Sequence, residues 1–172
     1  MKLNYKTKNQ GLTLIEALIW FAIFAAVVAG VFALYSSSRN ASNASTVNKE
    51  LSTIFTQTEQ LYASDSTVGL NNTIGLQLGI FPKSLKVNAA VINNVFGGTV
   101  TIVGTAPSTF TVTYTNIPSG EVCSNIVRAQ KAVGWTSGLA LPYNSTYTIA
   151  KVAAACGDNG GPAISVAFVR SS

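Results

Sequence analysis

Apolar and polar positions divide the chain into three regimes. Residues 1–11 (MKLNYKTKNQG) are short, polar and basic. From Leu12 to Tyr35 the chain is apolar apart from Thr13 and Glu16, a run of about 24 residues. A bilayer core needs about 20 apolar residues in a helix, so this run can span one. A small, polar stretch follows, Ser36–Ser45 (SSSRNASNAS). Beyond it Val47, Leu51, Ile54, Phe55, Thr58, Leu61 and Tyr62 recur at spacings of three and four, which lays one apolar stripe on a helix. Lys49, Glu50, Gln57 and Glu59 read as lying largely off that stripe. No proline occurs between Leu12 and Phe81. The pattern therefore predicts one long helix from about Leu12 to Ala63, softened near Gly30 and Ser36–Ser38. Its first half is apolar all round and its second half is one-sided.

Beyond Asp65 glycine, asparagine, threonine, serine and proline become frequent and apolar runs shorten. Gly98–Val103 and Thr109–Thr115 alternate and are rich in β-branched residues, with Ala106-Pro107-Ser108 between them. They read as an antiparallel hairpin. Glu121–Val133 has Val122, Ile126, Ala129 and Val133 at helical spacing, with Ser119 as a cap and Gly134 as a stop. Thr146–Ala150 and Ala163–Arg170 read as further strands, the second reached through a turn at Gly157–Pro162. The fold class is α+β: a long N-terminal helix packed against a mainly antiparallel β-sheet head. The domain order is 1–11 leader, 12–35 apolar half-helix, 36–63 amphipathic half-helix and 64–172 head.

Charge changes little in this picture. The formal charge is +5, but Lys2, Lys6 and Lys8 belong to the leader. From Leu12 onward eight cations face six acids, a net of +2. No dense basic patch with interleaved aromatics follows, so no nucleic acid is expected as a partner. Lysines before the apolar run and none inside it orient the N-terminus to the cytoplasm and the remainder outside.

Catalytic chemistry is hard to find. The chain has no histidine, the commonest general base and zinc ligand. The carboxylates from Leu12 onward are Glu16, Glu50, Glu59, Asp65, Glu121 and Asp158, scattered in sequence. Gly157–Gly161 lacks the Lys-Ser/Thr of a phosphate loop, and Asp158 with Asn159 offers too few oxygens for calcium. No enzyme activity, cofactor or metal is expected. Trp135 and Tyr143 read as packing residues before contact residues. Cys123 and Cys156 read either as two inert buried thiols or, in an exported domain, as a disulfide, and export favours the disulfide.

The informative motif is Gly11-Leu12-Thr13-Leu14-Ile15-Glu16. An ordinary secretory signal is cut after its apolar region, whereas here a small residue stands before that region and an acid follows five residues later. This resembles the class III signal of type IV pilins and of type II secretion pseudopilins, densely over Gly11–Tyr35 and more loosely beyond. Leu12 replaces the phenylalanine usual in the type IVa branch, which points to the type IVb branch. The leader is shorter than many type IVb leaders.

The resemblance implies that a prepilin peptidase in the membrane cuts between Gly11 and Leu12 and methylates the new Leu12 amine. It implies that Glu16, an acid costing about 2.5–3.5 kcal/mol in hydrocarbon, pairs with the Leu12 amine of a neighbouring subunit. It further implies inner-membrane storage with a periplasmic head, an inner-membrane assembly machinery, and polymerisation into a homo-oligomeric surface filament for adhesion, aggregation or conjugation. The alternatives are a pseudopilin of a type II secretion system and a membrane-anchored periplasmic binding domain. An ordinary signal peptide cut after Ala33, or a plain signal anchor, would make Glu16 an accident.

Overall fold

The computed structural model describes residues 13–63, 65–89 and 91–171. The chain falls into two compact units, Met1–Arg39 and Asn40–Ser172. Helix α1 (Leu14–Leu61) contributes to both. In the first unit the described part of α1 carries apolar side chains on every face. In the second, Val47, Leu51 and Ile54 have no exposed surface, and Ala44 is also buried.

The stripe that buries these residues is wider than the spacing of apolar residues alone implies. Glu50 was read from the sequence as lying off it, yet its exposure is 2%. It sits one helical turn from both Val47 and Ile54, so the core face includes it. Thr58 is buried in the same row and turns its hydroxyl to Ile54 O at 2.7 Å, which satisfies it within the helix.

The sheet has seven strands: β1 (Lys86–Asn88), β2 (Val91–Asn93), β3 (Thr99–Ala106), β4 (Thr109–Ile117), β5 (Ser137–Gly138), β6 (Leu141–Pro142) and β7 (Ile164–Arg170). Their order is β1-β2-β3-β4-β7-β5-β6, and every pairing is antiparallel. The α+β class and the helix-on-sheet arrangement of the head are as the pattern predicts. Strands β3 and β4 form the expected hairpin, with Val100 opposite Tyr114 and Ile102 opposite Val112. Period-2 alternation turns Val100, Ile102, Phe110, Val112, Tyr114, Val166 and Phe168 inward, all at 1% exposure or less. Threonines 101, 111, 113 and 115 take the other face. Gly104 interrupts β3 where the register shifts. A Cβ there would lie 1.7 Å from Thr67 O, so only glycine admits the incoming chain.

The remaining helices are α2 (Asn72–Gln77), α3 (Glu121–Gln130) and α4 (Ile149–Cys156). Helix α4 corrects the sequence reading, which made Thr146–Ala150 a strand. Thr148 is instead an N-cap whose hydroxyl accepts from Lys151 N at 3.3 Å, and the alanine-rich IAKVAAAC continues as helix. Helix α3 corrects the expected cap. Gly120, not Ser119, holds the N-cap position, and the Glu121 amide donates to Asn159 Oδ1 at 2.7 Å. Ser119 instead donates to Asp158 O at 2.9 Å. Both contacts tie the start of α3 to the turn after α4.

Candidate assembly site

The described part of the first unit begins at Thr13. Its hydroxyl accepts from the Glu16 amide at 3.4 Å and its carbonyl from Ala17 N at 3.1 Å, which starts the helix and puts Glu16 in the first turn. An acid there complements the positive end of the helix dipole. The Glu16 side chain is exposed, and its carboxylate has no partner among the described residues. Around it Leu14, Ile15, Trp20, Phe21 and Phe24 are each more than 60% exposed. Alpha1 is long and apolar enough to cross a membrane, and none of its most apolar stretch is buried within the chain. At the end of this unit Arg39 lies 5.7 Å over the Tyr35 ring. Gly11 and Leu12, the expected cleavage and methylation positions, lie outside the described residues.

The head is closed around its own core. Trp135, read from the sequence as a packing residue, is 3% exposed. It meets Phe55, Phe110 and Phe168 at centroid distances of 4.9, 5.5 and 5.8 Å. Its indole donates to Gln130 Oε1 at 3.0 Å, and Gln130 Nε2 donates to Asn48 O and Oδ1, which ties α3 to α1. Tyr143 is half-buried and donates to Val127 O. Burial, with the neighbouring Tyr147, raises its pKa above the usual tyrosine value.

Cys123 and Cys156 form a disulfide, with Cα atoms 5.6 Å apart and both side chains fully buried. It joins the first turn of α3 to the last turn of α4. A bridge over 33 residues stabilises by roughly 3–4 kcal/mol in the chain-entropy account.

One buried acid was missed from the sequence. Glu50 Oε1 accepts from Ser84 Oγ at 2.9 Å and Oε2 from Tyr114 Oη at 3.4 Å. Burial raises its pKa above 4.5, against the lowering effect of these two donors. Burial, reinforced by Glu50, also drives Tyr114 well above the usual value. Among the described residues no group of three or more histidine, cysteine or acidic side chains is placed to hold a metal. A groove between α1 and α3, lined by Ala41, Ser45, Lys49, Asn125 and Ala129 among others, is shallow and open. It brings together no pair of groups suited to acid–base chemistry.

Comparison with known proteins fits this division of surfaces. The family described as PilS N-terminal matches residues 41–171. Among solved structures, the crystal structure of a type IVb pilin from Salmonella typhi superposes with a TM-score of 0.55. Identity is 16%, over 72% of this chain and 97% of that one. No curated protein sequence matches. The fold is thus the one seen in that type IVb pilin, a long N-terminal helix with an antiparallel sheet. The chain belongs to the PilS N-terminal family.

Proposed function

We propose that this chain is a type IV pilus subunit, cut between Gly11 and Leu12 by a prepilin peptidase, methylated on Leu12, stored in the inner membrane and polymerised into a surface filament. One observation carries the reading: an apolar helix surface exposed on all faces, interrupted by a lone carboxylate at Glu16, in a chain of a pilin family. Water is a poor solvent for that surface, so it is satisfied only by lipid or by copies of itself. The same helix serves both, first as an anchor and then as filament core. Glu16 needs a cation in either setting, and the Leu12 amine of a neighbouring subunit supplies one. Pairing the two sets the stagger between adjacent helices. The head then forms the outer surface, and adhesion, aggregation or conjugation are roles for that surface.

Glu16→Ala tests the reading. The variant is expected to be cleaved and to keep a folded head while yielding few or no sheared filaments, whereas the parent chain recovered from cells starts at a methylated Leu12. Normal filament yield from Glu16→Ala counts against the pairing. An N-terminus at Met1 or Leu34 in the exported chain rejects the processing step.

A further inference from the structure

The paired helices of the head separate charge by sign. The disulfide holds the start of α3 against the end of α4, and the Gly120 amide donates to Cys156 O at 2.9 Å. Two acids lie at that end, Glu121 and Asp158, both exposed. At the other end, Lys131 Nζ stands 4.8 Å over the Tyr147 ring, just before α4 begins. Lys151 Nζ donates to Thr146 O at 3.0 Å, and the charge of Arg128 reaches Tyr147 as well. Three exposed cations therefore gather where α3 ends and α4 starts. None of these five charged side chains forms an ion pair among the described residues; the pair present there is Arg170 with Glu59, at 3.2 Å.

The two clusters do not neutralise each other. Ten residues of α3 separate Glu121 from Lys131, about 15 Å at helical rise. Salt near 0.1 M screens exposed charges beyond about 10 Å. Each cluster is thus open to a partner of opposite sign, and the same chain offers one at the far end of the same helix pair.

We propose that the basic end, Arg128, Lys131 and Lys151, docks on the acidic end, Glu121 and Asp158, of a second copy of this chain. The inference rests on the filament reading above and names the head-to-head contact that accompanies the helix core. A contact between two different patches of identical subunits is heterologous, and where the rotation does not close it propagates as an open helical array. Exposed ion pairs are individually weak, so the contact fixes register and partner choice more than affinity. Separated heads accordingly do not polymerise through it.

Charge exchange in the full chain, expressed in piliated cells, tests the proposal. Lys131→Glu with Lys151→Glu is expected to lower sheared filament yield about tenfold at unchanged subunit level, because like charges then meet. Glu121→Lys with Asp158→Lys should do the same. All four substitutions together restore complementarity and should recover at least half of the yield. Normal filaments from either pair of reversals overturn the inference, as does a loss that the fourfold exchange fails to repair. If the lysine reversals leave filaments normal but abolish their retention on heparin beads, the basic end serves an external polyanion and the proposal falls. An unmodified chain that makes no filaments overturns the filament reading together with this one, whereas normal unmodified filaments with insensitive variants sink this one alone.

Discussion

Two glutamates on one helix show how the two units of the chain differ. Glu16 stands among exposed leucines and aromatics, and its carboxylate has no partner among the described residues. Glu50 is buried, yet Ser84 and Tyr114 both donate to it. The same contrast holds for apolar side chains. Phe21 and Phe24 are 72% and 68% exposed, while Leu51 and Ile54 have no exposed surface. The head meets most of its own needs: its apolar core, Glu50 and its two cysteines find partners among the described residues of the second unit. Among the described residues, the first unit leaves both its apolar surface and the Glu16 carboxylate without a partner. The lesson is that α1 is one helix by backbone and two by surroundings, its second part buried by the head and its first part exposed.

Separating the halves is the largest perturbation of this contrast. A chain beginning at Asn40 is expected to be a soluble monomer by light scattering, to unfold cooperatively and to form no filaments. Aggregation of that fragment, or filaments from it, would move the boundary between the two solvents toward the C-terminus. A smaller effect, confined to the head, follows from replacing both Cys123 and Cys156 by serine in the same fragment. Urea unfolding should show a loss of about 3–4 kcal/mol. A loss under about 1 kcal/mol would mean that the sheet, not the bridge, holds α3 and α4 together.

The smallest effect concerns Glu50 and pH. Burial raises its native pKa above 4.5, so between that value and the raised one the native head holds a proton that the unfolded chain has released. Its contribution is then fully present below pH 4.5 and is lost as pH rises through the native value. Glu50→Gln removes this titration. The parent fragment should therefore lose stability relative to Glu50→Gln between pH 4.5 and 7, as measured by thermal unfolding. Parallel curves for the two would show that Glu50 ionises as freely in the head as in the unfolded chain.

The long helix was legible because its signals are global: a continuous apolar run, then a stripe, with no proline to stop either. It was expected over Leu12–Ala63 and is found over Leu14–Leu61 in the described residues. The β3–β4 hairpin was legible from alternation and β-branching. What escaped was local and context-bound. The Thr146-Tyr147-Thr148 run has strand propensity, but Thr148 faces a free helix start and caps it. The alanines at 153–155 were the signal passed over. Strands β5 and β6 span two residues each, and their turn sets Leu139 and Ala140 at φ of 51° and 58° without a glycine to announce it. Glu50 was placed off the stripe on residue type alone, although its spacing from Val47 and Ile54 put it on. Of the candidate assembly site, Glu16 was legible as an acid inside an apolar run. The charge separation on α3 and α4 was not, because it depends on α4 being a helix.

The sheet order carries a consequence for how the head comes into being. Strand β7, the latest in chain order, lies between β4 and β5. Its residues Phe168 and Val169 pair with Gly138 and Ser137 on one side and with Val112 and Thr111 on the other. Until Ile164–Arg170 has been synthesised, β5 and β6 have no longer strand to join and β4 keeps an open edge. A chain emerging from its N-terminus thus completes its long helix well before its head can close. The helix precedes the sheet, and the unfinished edge waits for the final strand to occupy it.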